Sequence, residues 1–458
     1  MKLHALVSAL ALSGLTGLTG TALAAVPADE AKQLGSTLTE FGAVKAGNAD
    51  GSIPAYTGGL TTPPPGFKPD SGFWVDPFKD EQPILRIDAK NVDQHAAKLS
   101  EGQKALLKKH PGYFLNVYKS HRTAAFPAKV LQATVRNATS CKTLQDGQAI
   151  DTACRGGIPF PIPKNGYEAM WNQMLRYQGD VNITTASSRT WVIDSSGKPT
   201  MTAQQQTVQE FPFYQVGLSD RDPKMVWRTY SISTAPARRA GEMTGLMDFN
   251  DPTAQPRKAW SYTPGQRRIK LSPEFSYDTP VASMGGVVLF DELFVFSGKM
   301  DRFDFKLLGK KEMYIQSNGY KGAYDCPVVE KALMPAHVNP ECERWELRRV
   351  WVVEATLKPG QRHVYSKRVY YFDEDHTGAG NYDAFDQNGA LYRVMFQSST
   401  PMYDKLIPFS AKNVVYDLNK GMYAYVNDVM NGGFKVTSKA PSERELAPEA
   451  IVGRETQR

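Results

Sequence analysis

From about residue 181 onward, large apolar and polar residues alternate with a period of two, as in strands that cover one face. The clearest case is LRRVWVVEATL, a Lys358-Pro359-Gly360 turn, and then HVYSKRVYYFD. Val350, Val352, Glu354 and Thr356 fall on one face of that hairpin, and Arg349, Trp351, Val353 and Ala355 on the other. AWSYTPGQRRIKL turns at Thr263-Pro264-Gly265, YDAFDQNGALYRVMF at Asn388-Gly389, and RTWVIDSSGKPTMT at a Ser-Ser-Gly step. Closely spaced turns with no strand–helix–strand alternation and no internal repeat predict one large curved antiparallel sheet over about 181–435.

Helical spacing appears earlier in the chain. Val92, Ala96, Leu99, Leu106 and Leu107 predict a helix over 92–109, ended by Pro111-Gly112. Tyr167, Met170, Trp171, Met174 and Tyr177 predict another over 167–178, bracketed by Gly166 and Gly179. Residues 25–90 are rich in Gly and Pro, with PPPGFKP at 63–69. They also carry Phe41, Ile53, Tyr56, Phe67, Phe73, Trp74 and Phe78. So many aromatics argue against disorder and for an extended segment wrapped along the body. Residues 91–437 are read as the main domain, and the charged, Pro-interrupted stretch 438–458 as a mobile tail.

The first 24 residues change the picture of where this fold works. Lys2 precedes an apolar run without acidic residues, and Ala22-Leu23-Ala24 has the small-x-small pattern of a signal-peptidase site. Cleavage after Ala24 into the periplasm is expected, without lipid anchoring, because the first cysteine is Cys141. In an oxidising compartment the local pairs Cys141/Cys154 and Cys326/Cys342 predict two short-loop disulfides. The net charge of +7 is mild, and its Arg clusters read as solvated strand faces rather than a nucleic-acid site.

The search for catalytic motifs is negative: there is no G-x-S-x-G, H-E-x-x-H or Walker loop. The histidines are scattered, no metal or cofactor is expected, and the chain reads as a non-enzyme. DEDHTGAGNYDA, from Asp373, starts like a calcium loop but ends on Ala384 where a bidentate Glu is required, so a turn is expected. The positive signal is aromatic density on the segments taken as strands. Trp227, Tyr230, Trp260, Phe294 and Phe296, with Trp171 on the second helix and Trp351 on the long hairpin, are the candidates to line a cavity.

Four stretches carry a resemblance: GAVKAGNADGSIPAYTGG (42–59), PGQRRIKLSPEFSYDTP (264–280), FDFKLLGKKEMYI (303–315) and RWELRRVWVVEATLKPGQRHVYSKRVYYFDED (344–375). Together they resemble the large periplasmic proteins labelled outer-membrane lipoprotein-sorting proteins, a domain-of-unknown-function family of the LolA/LolB-like superfamily. The resemblance implies a mainly β, α+β half barrel closed by helices around an apolar cavity. It also implies partnership with a resistance-nodulation-division type exporter and an outer-membrane protein. A carrier for a lipid, fatty acid or sterol-like molecule is the expected function. A filled-core structural adaptor of an envelope transport system is the first alternative, and an enzyme acting on a hydrophobic substrate the second. A pocket joining His363 or His376 to carboxylates would favour the enzyme.

Overall fold

The computed structural model describes residues 26–184 and 187–457; the leader expected over 1–24 lies outside the described residues. Two short strands come first, β1 (Leu85–Ile87) and β2 (Leu115–Tyr118), and a small hairpin, β3 (Thr143–Leu144) and β4 (Ala149–Ile150), stands apart. Then follow β5 (Val181–Thr184), β6 (Ser188–Ile193), β7 (Pro199–Glu210), β8 (Met225–Ala235), β9 (Met243–Phe249), β10 (Lys258–Thr263) and β11 (Arg268–Leu271). After a strandless stretch come β12 (Phe303–Gln316), β13 (Trp345–Leu357), β14 (Lys367–Asp373), β15 (Gly380–Phe385), β16 (Leu391–Ser399), β17 (Ser410–Asp417), β18 (Met422–Asp428) and β19 (Phe434–Thr437).

The hairpin turns at 263–265, 358–360 and 388–389 join β10 to β11, β13 to β14 and β15 to β16. An antiparallel meander from β12 to β18 is stitched by the β18–β6 pair to a second meander, β6 to β11. The result is one large, antiparallel-dominated sheet. β2 pairs parallel with the start of β13, and β5 links β19 to β7. Among the described residues β11 pairs with β10 and β12 with β13 but not with each other, so the sheet is not a closed barrel.

The period-two pattern sorts side chains as the sequence predicts. Val353 and Ala355 join Tyr370, Phe372, Tyr382, Met395 and Val415 in the inner core. Val350 and Val352 pack on the opposite face with Met313 and Tyr371. That outer face is covered by Val92, Leu99, Leu106 and Leu107, the apolar stripe expected of a helix over 92–109. The single helix is a misreading. A 3₁₀ turn (Val92–Lys98) ends at Leu99, and a new helix (Glu101–Lys109) starts behind Ser100. Ser100 Oγ accepts from the Gln103 N–H while Gln103 Oε1 accepts from the Ser100 N–H, a capping box that forces a fresh start.

Residues 26–84 lie extended along the body. Phe41 packs on Tyr56 and Phe126, and Trp74 Nε1 donates to Asp404 at 2.7 Å. The acidic stretch from Asp373 holds arginines: Arg122 grips Asp375 through two hydrogen bonds of 2.9 and 2.6 Å, and Arg348 binds Asp373 and Asp375. The stretch after Ser438 differs from the mobile tail expected of its charge. It ends in a helix (Pro448–Thr456) whose Ile451 is buried against Trp260, Tyr262 and Met243, and Glu443 takes a bidentate contact from Arg228.

Candidate ligand-binding cavity

On β8 the alternation sends Trp227, Thr229 and Ser231 to one face and Arg228, Tyr230 and Ile232 to the other. The first face looks onto residues 272–302, the connection from β11 to β12, and onto the helix Gly166–Met174. Closure by helices is therefore corrected in one respect: the cover over β6–β9 is chiefly this irregular segment, which forms no α-helix. It is anchored at several points. Thr202 Oγ1 donates to the Ser283 carbonyl at 2.8 Å, Arg257 Nη2 to Ser297 Oγ at 2.6 Å, and Gln173 Nε2 to the Phe294 carbonyl. At Phe290–Glu292 it is held by charge. Asp291 accepts from Arg368 at 2.6 Å and lies 3.0 Å from His363 Nε2, and Tyr365 donates to Glu292 at 2.6 Å. Burial raises the Asp291 pKa, but Arg368 and His363 outweigh it and hold the carboxyl below the usual range.

Between cover and sheet lie two adjoining chambers. The first, of about 200 Å³, is lined mainly by Trp171, Met174, Phe211, Val226, Trp227 and Phe296. The second, of about 240 Å³, has two unlike walls. The cover contributes Phe275, Val281, Met284, Val288, Phe290 and Leu293, whereas the sheet contributes mainly hydroxyls and amides, with Leu246, Val426, Phe434 and Lys412 among them. Thr207, Ser231 and Thr244 stand side by side across β7, β8 and β9, with Thr207 and Ser231 hydroxyls 2.9 Å apart. Trp227, Phe294 and Arg176 line both chambers and form the partition. The Trp227 and Phe294 rings meet edge to face at 5.6 Å, and the Arg176 guanidinium lies 5.0 Å from the Phe294 ring centre. Phe294 and Val295 have φ of 57° and 78°, a backbone region that costs such residues of the order of 1–3 kcal/mol and draws attention to the partition.

The first disulfide shapes one wall. Both predicted pairs are joined in the structure, with Cα separations of 4.7 Å for Cys141–Cys154 and 5.8 Å for Cys326–Cys342. The 141–154 loop carries Gly147, whose carbonyl accepts from Trp171 Nε1 at 2.9 Å. Gly147 has a φ of 92°, and a Cβ there would stand 2.5 Å from the Tyr167 ring. The loop thus needs glycine to seat the helix that presents Trp171.

Of the seven aromatics singled out from the sequence, the structure brings Trp171, Trp227, Phe294 and Phe296 together at the chambers. It places three elsewhere. Tyr230 is three residues from Trp227 on one strand and must face the other way; with Trp260 it packs against the C-terminal helix. Trp351 lies under Lys310, 4.4 Å from its ring, beside a void of about 20 Å³. Phe294 and Phe296 are on the cover, not on strands. The hydroxyl row and Arg176 were missed, since neither stands out among ordinary strand and loop residues.

His363 lines neither chamber, and its imidazole pKa is lowered by burial and by Arg368. His376 is pushed down to about 3 by burial and by Arg176 and Arg348. It borders the 20 Å³ void with Glu374 and Asp375, space for about one water.

Solved structures with similar features include a putative outer membrane lipoprotein-sorting protein domain from Vibrio parahaemolyticus, with 13% identity, 63% of this chain and 98% of that chain covered, and a TM-score of 0.42. A DUF1329 family protein from Desulfovibrio piger shows 14% identity, 62% and 97% coverage and a TM-score of 0.41. A LolA superfamily protein from Nitrosomonas europaea shows 9% identity, 63% and 99% coverage and a TM-score of 0.36. In sequence, the chain is 40% identical over 428 residues to the Uncharacterized protein PA3922 of Pseudomonas aeruginosa, covering 92% of this chain and 91% of the relative. The model of the family described as "Protein of unknown function (DUF1329)" matches residues 86–452, and the chain belongs to that family.

Proposed function

We propose that this is a periplasmic carrier that holds a hydrophobic molecule between the sheet and its cover, on a path linking an inner-membrane exporter to the outer membrane. The observation that carries the reading is the pair of adjoining chambers, with aromatic and aliphatic side chains turned into open space. A dry structural core would be packed without such space. Neither chamber alone reaches the about 300 Å³ of a small-molecule site, but a ligand reaching past the Trp227–Phe294 partition would have the volume of both. Each methylene of an acyl chain costs about 0.8 kcal/mol in water, so a protein that removes the chain from water makes transit feasible. The leader expected over 1–24 supports the compartment.

A binding role is favoured over an enzymatic one because His363 and Asp291 are spent on anchoring the cover and do not face the chambers. The test is uptake of a fluorescent long-chain lipid probe by the purified protein and by Trp227→Glu, which puts a charge in the partition. The wild type should take up the probe and the variant should not. Absence of uptake by the wild type would point to the structural adaptor.

A further inference from the structure

The chambers contain a charge that the fold leaves without a counter-charge. Every other buried arginine of the described residues sits against a carboxylate: Arg122 on Asp375, Arg221 and Arg228 on Glu210, Arg344 on Glu346, Arg348 on Asp373, Arg368 on Asp291, Arg393 on Asp417. Arg176 is 6% exposed and pairs with no carboxylate among those residues. Its Nη1 donates to the Gln173 carbonyl at 3.0 Å, and the rest of the guanidinium faces the Gln178 amide and the Phe294 ring. The neighbouring imidazole of His376 is neutral and supplies no negative charge. Burial without a counter-charge pushes the Arg176 pKa down to about 9. A buried, uncompensated guanidinium is costly, and a fold that pairs seven others has no structural need of this one.

Its position tells what it is for. Arg176 lines both chambers at their partition. On one side lies the mainly apolar space of Trp171, Met174, Phe211 and Val226. On the other lie Gln178, from the connection before β5, the strand hydroxyls of Thr207, Ser231 and Thr244, and Lys412, groups able to hydrogen-bond an oxygen-rich head. The remaining acidic residue of the first chamber, Asp248, is already bound by Arg257 through two contacts of 2.6 Å. A ligand with an apolar tail in the first chamber and an anionic head at the partition would give Arg176 the counter-charge it lacks.

We propose that the ligand is an anionic amphiphile whose carboxylate or phosphate head is bound by Arg176 while its chain occupies the Trp171–Val226 chamber. This rests on the carrier reading and narrows it to one class of cargo.

The test compares cis-parinaric acid with its methyl ester, identical chains that differ in head charge, on the full exported protein. The wild type should bind the acid about tenfold or more tighter than the ester, the gain of a charge-assisted contact. Arg176→Met should bind the two alike, at about the strength of the ester in wild type, and Arg176→Lys should keep part of the preference. The Arg176→Met thermal midpoint should be equal to or above wild type, since the substitution removes a buried unpaired charge. Displacement of bound parinaric acid by oleate but not by oleoyl lysophosphatidate assigns a carboxylate head, and the reverse order assigns a phosphate head. Equal binding of acid and ester by wild type, or a preference that survives in Arg176→Met, overturns the head-group assignment and leaves the carrier reading intact. Binding of neither probe by wild type overturns both.

Discussion

The two halves of the sheet use the same hairpin rhythm and fill their inner faces differently. Across β13–β17 that face carries Val353, Tyr370, Phe372, Tyr382, Met395 and Val415, buried to a few per cent exposure or less, with Arg368 and Arg393 paired to carboxylates among them. Across β6–β9 it carries Thr190, Gln205, Thr207, Thr229, Ser231 and Thr244 beside Trp227 and Leu246, and most of the large apolar groups opposite them come from the cover. One half is solid and the other is hollow. Short hydroxyl side chains cannot reach across to the cover as Tyr and Phe do, so space remains. The solid half then serves as the fixed wall to which the cover is bolted at Asp291 and Glu292.

One large residue from each half separates the two by mutation. Trp227→Glu should lower probe uptake by about 100-fold or more, because the tail would be bound beside a buried charge. Phe372→Ala, in the solid half, should instead cost about 3–5 kcal/mol of stability in denaturant titration and leave the affinity of the remaining folded protein unchanged. If Phe372→Ala weakened uptake as much as Trp227→Glu, the division into halves would fail.

Next in size is the disulfide that seats Trp171. Cys141→Ser with Cys154→Ser should cost about 3 kcal/mol and also weaken uptake. Removing Cys326 and Cys342, whose loop covers the outer face, should cost a similar amount and leave uptake alone.

A pH effect is expected at His376, which lines neither chamber. Its folded pKa is about 3, against 6.5 for an unperturbed imidazole. Between about pH 6.5 and about 3 the unfolded chain binds a proton that the folded chain refuses, so stability falls as pH falls through that window. His376→Gln should make the acid limb of the stability profile shallower; an unchanged limb would show that His376 does not titrate as described.

The smallest expected effect is in the hydroxyl row. Thr207→Val with Ser231→Ala removes both members of one hydroxyl pair, so stability should change by about 1 kcal/mol or less. A larger loss in thermal or denaturant melts would mean that the row is a structural element and not an unfilled wall.

Much of the sheet was legible because hairpin punctuation and period two are local properties. Thr263-Pro264-Gly265, Lys358-Pro359-Gly360 and Asn388-Gly389 each mark a turn that the structure contains. The site was legible in part. Trp227 and Tyr230 both look like lining residues by size, yet an odd spacing on one strand puts them on opposite faces, which strict application of the alternation would have shown. The helix Ala128–Ser140 escaped because its buried positions are Val130, Ala133, Thr134, Asn137 and Ala138, mostly small or polar, so no large apolar stripe announces it. The break at Ser100 was written in the sequence as Ser-x-x-Gln and was overlooked for the longer apolar period. Arg176 could not be found from sequence at all: what sets it apart is the absence of a carboxylate around it, which only the packed structure reveals.

Whether the hollow half holds a hydrophobic molecule can be read from native mass spectrometry of the protein taken gently from periplasmic extract. A species heavier than the polypeptide by the mass of one bound amphiphile is expected, lost on organic extraction and missing from Trp227→Glu prepared alongside. Bare polypeptide mass for the wild type, together with no uptake of added lipid probe, would contradict that expectation.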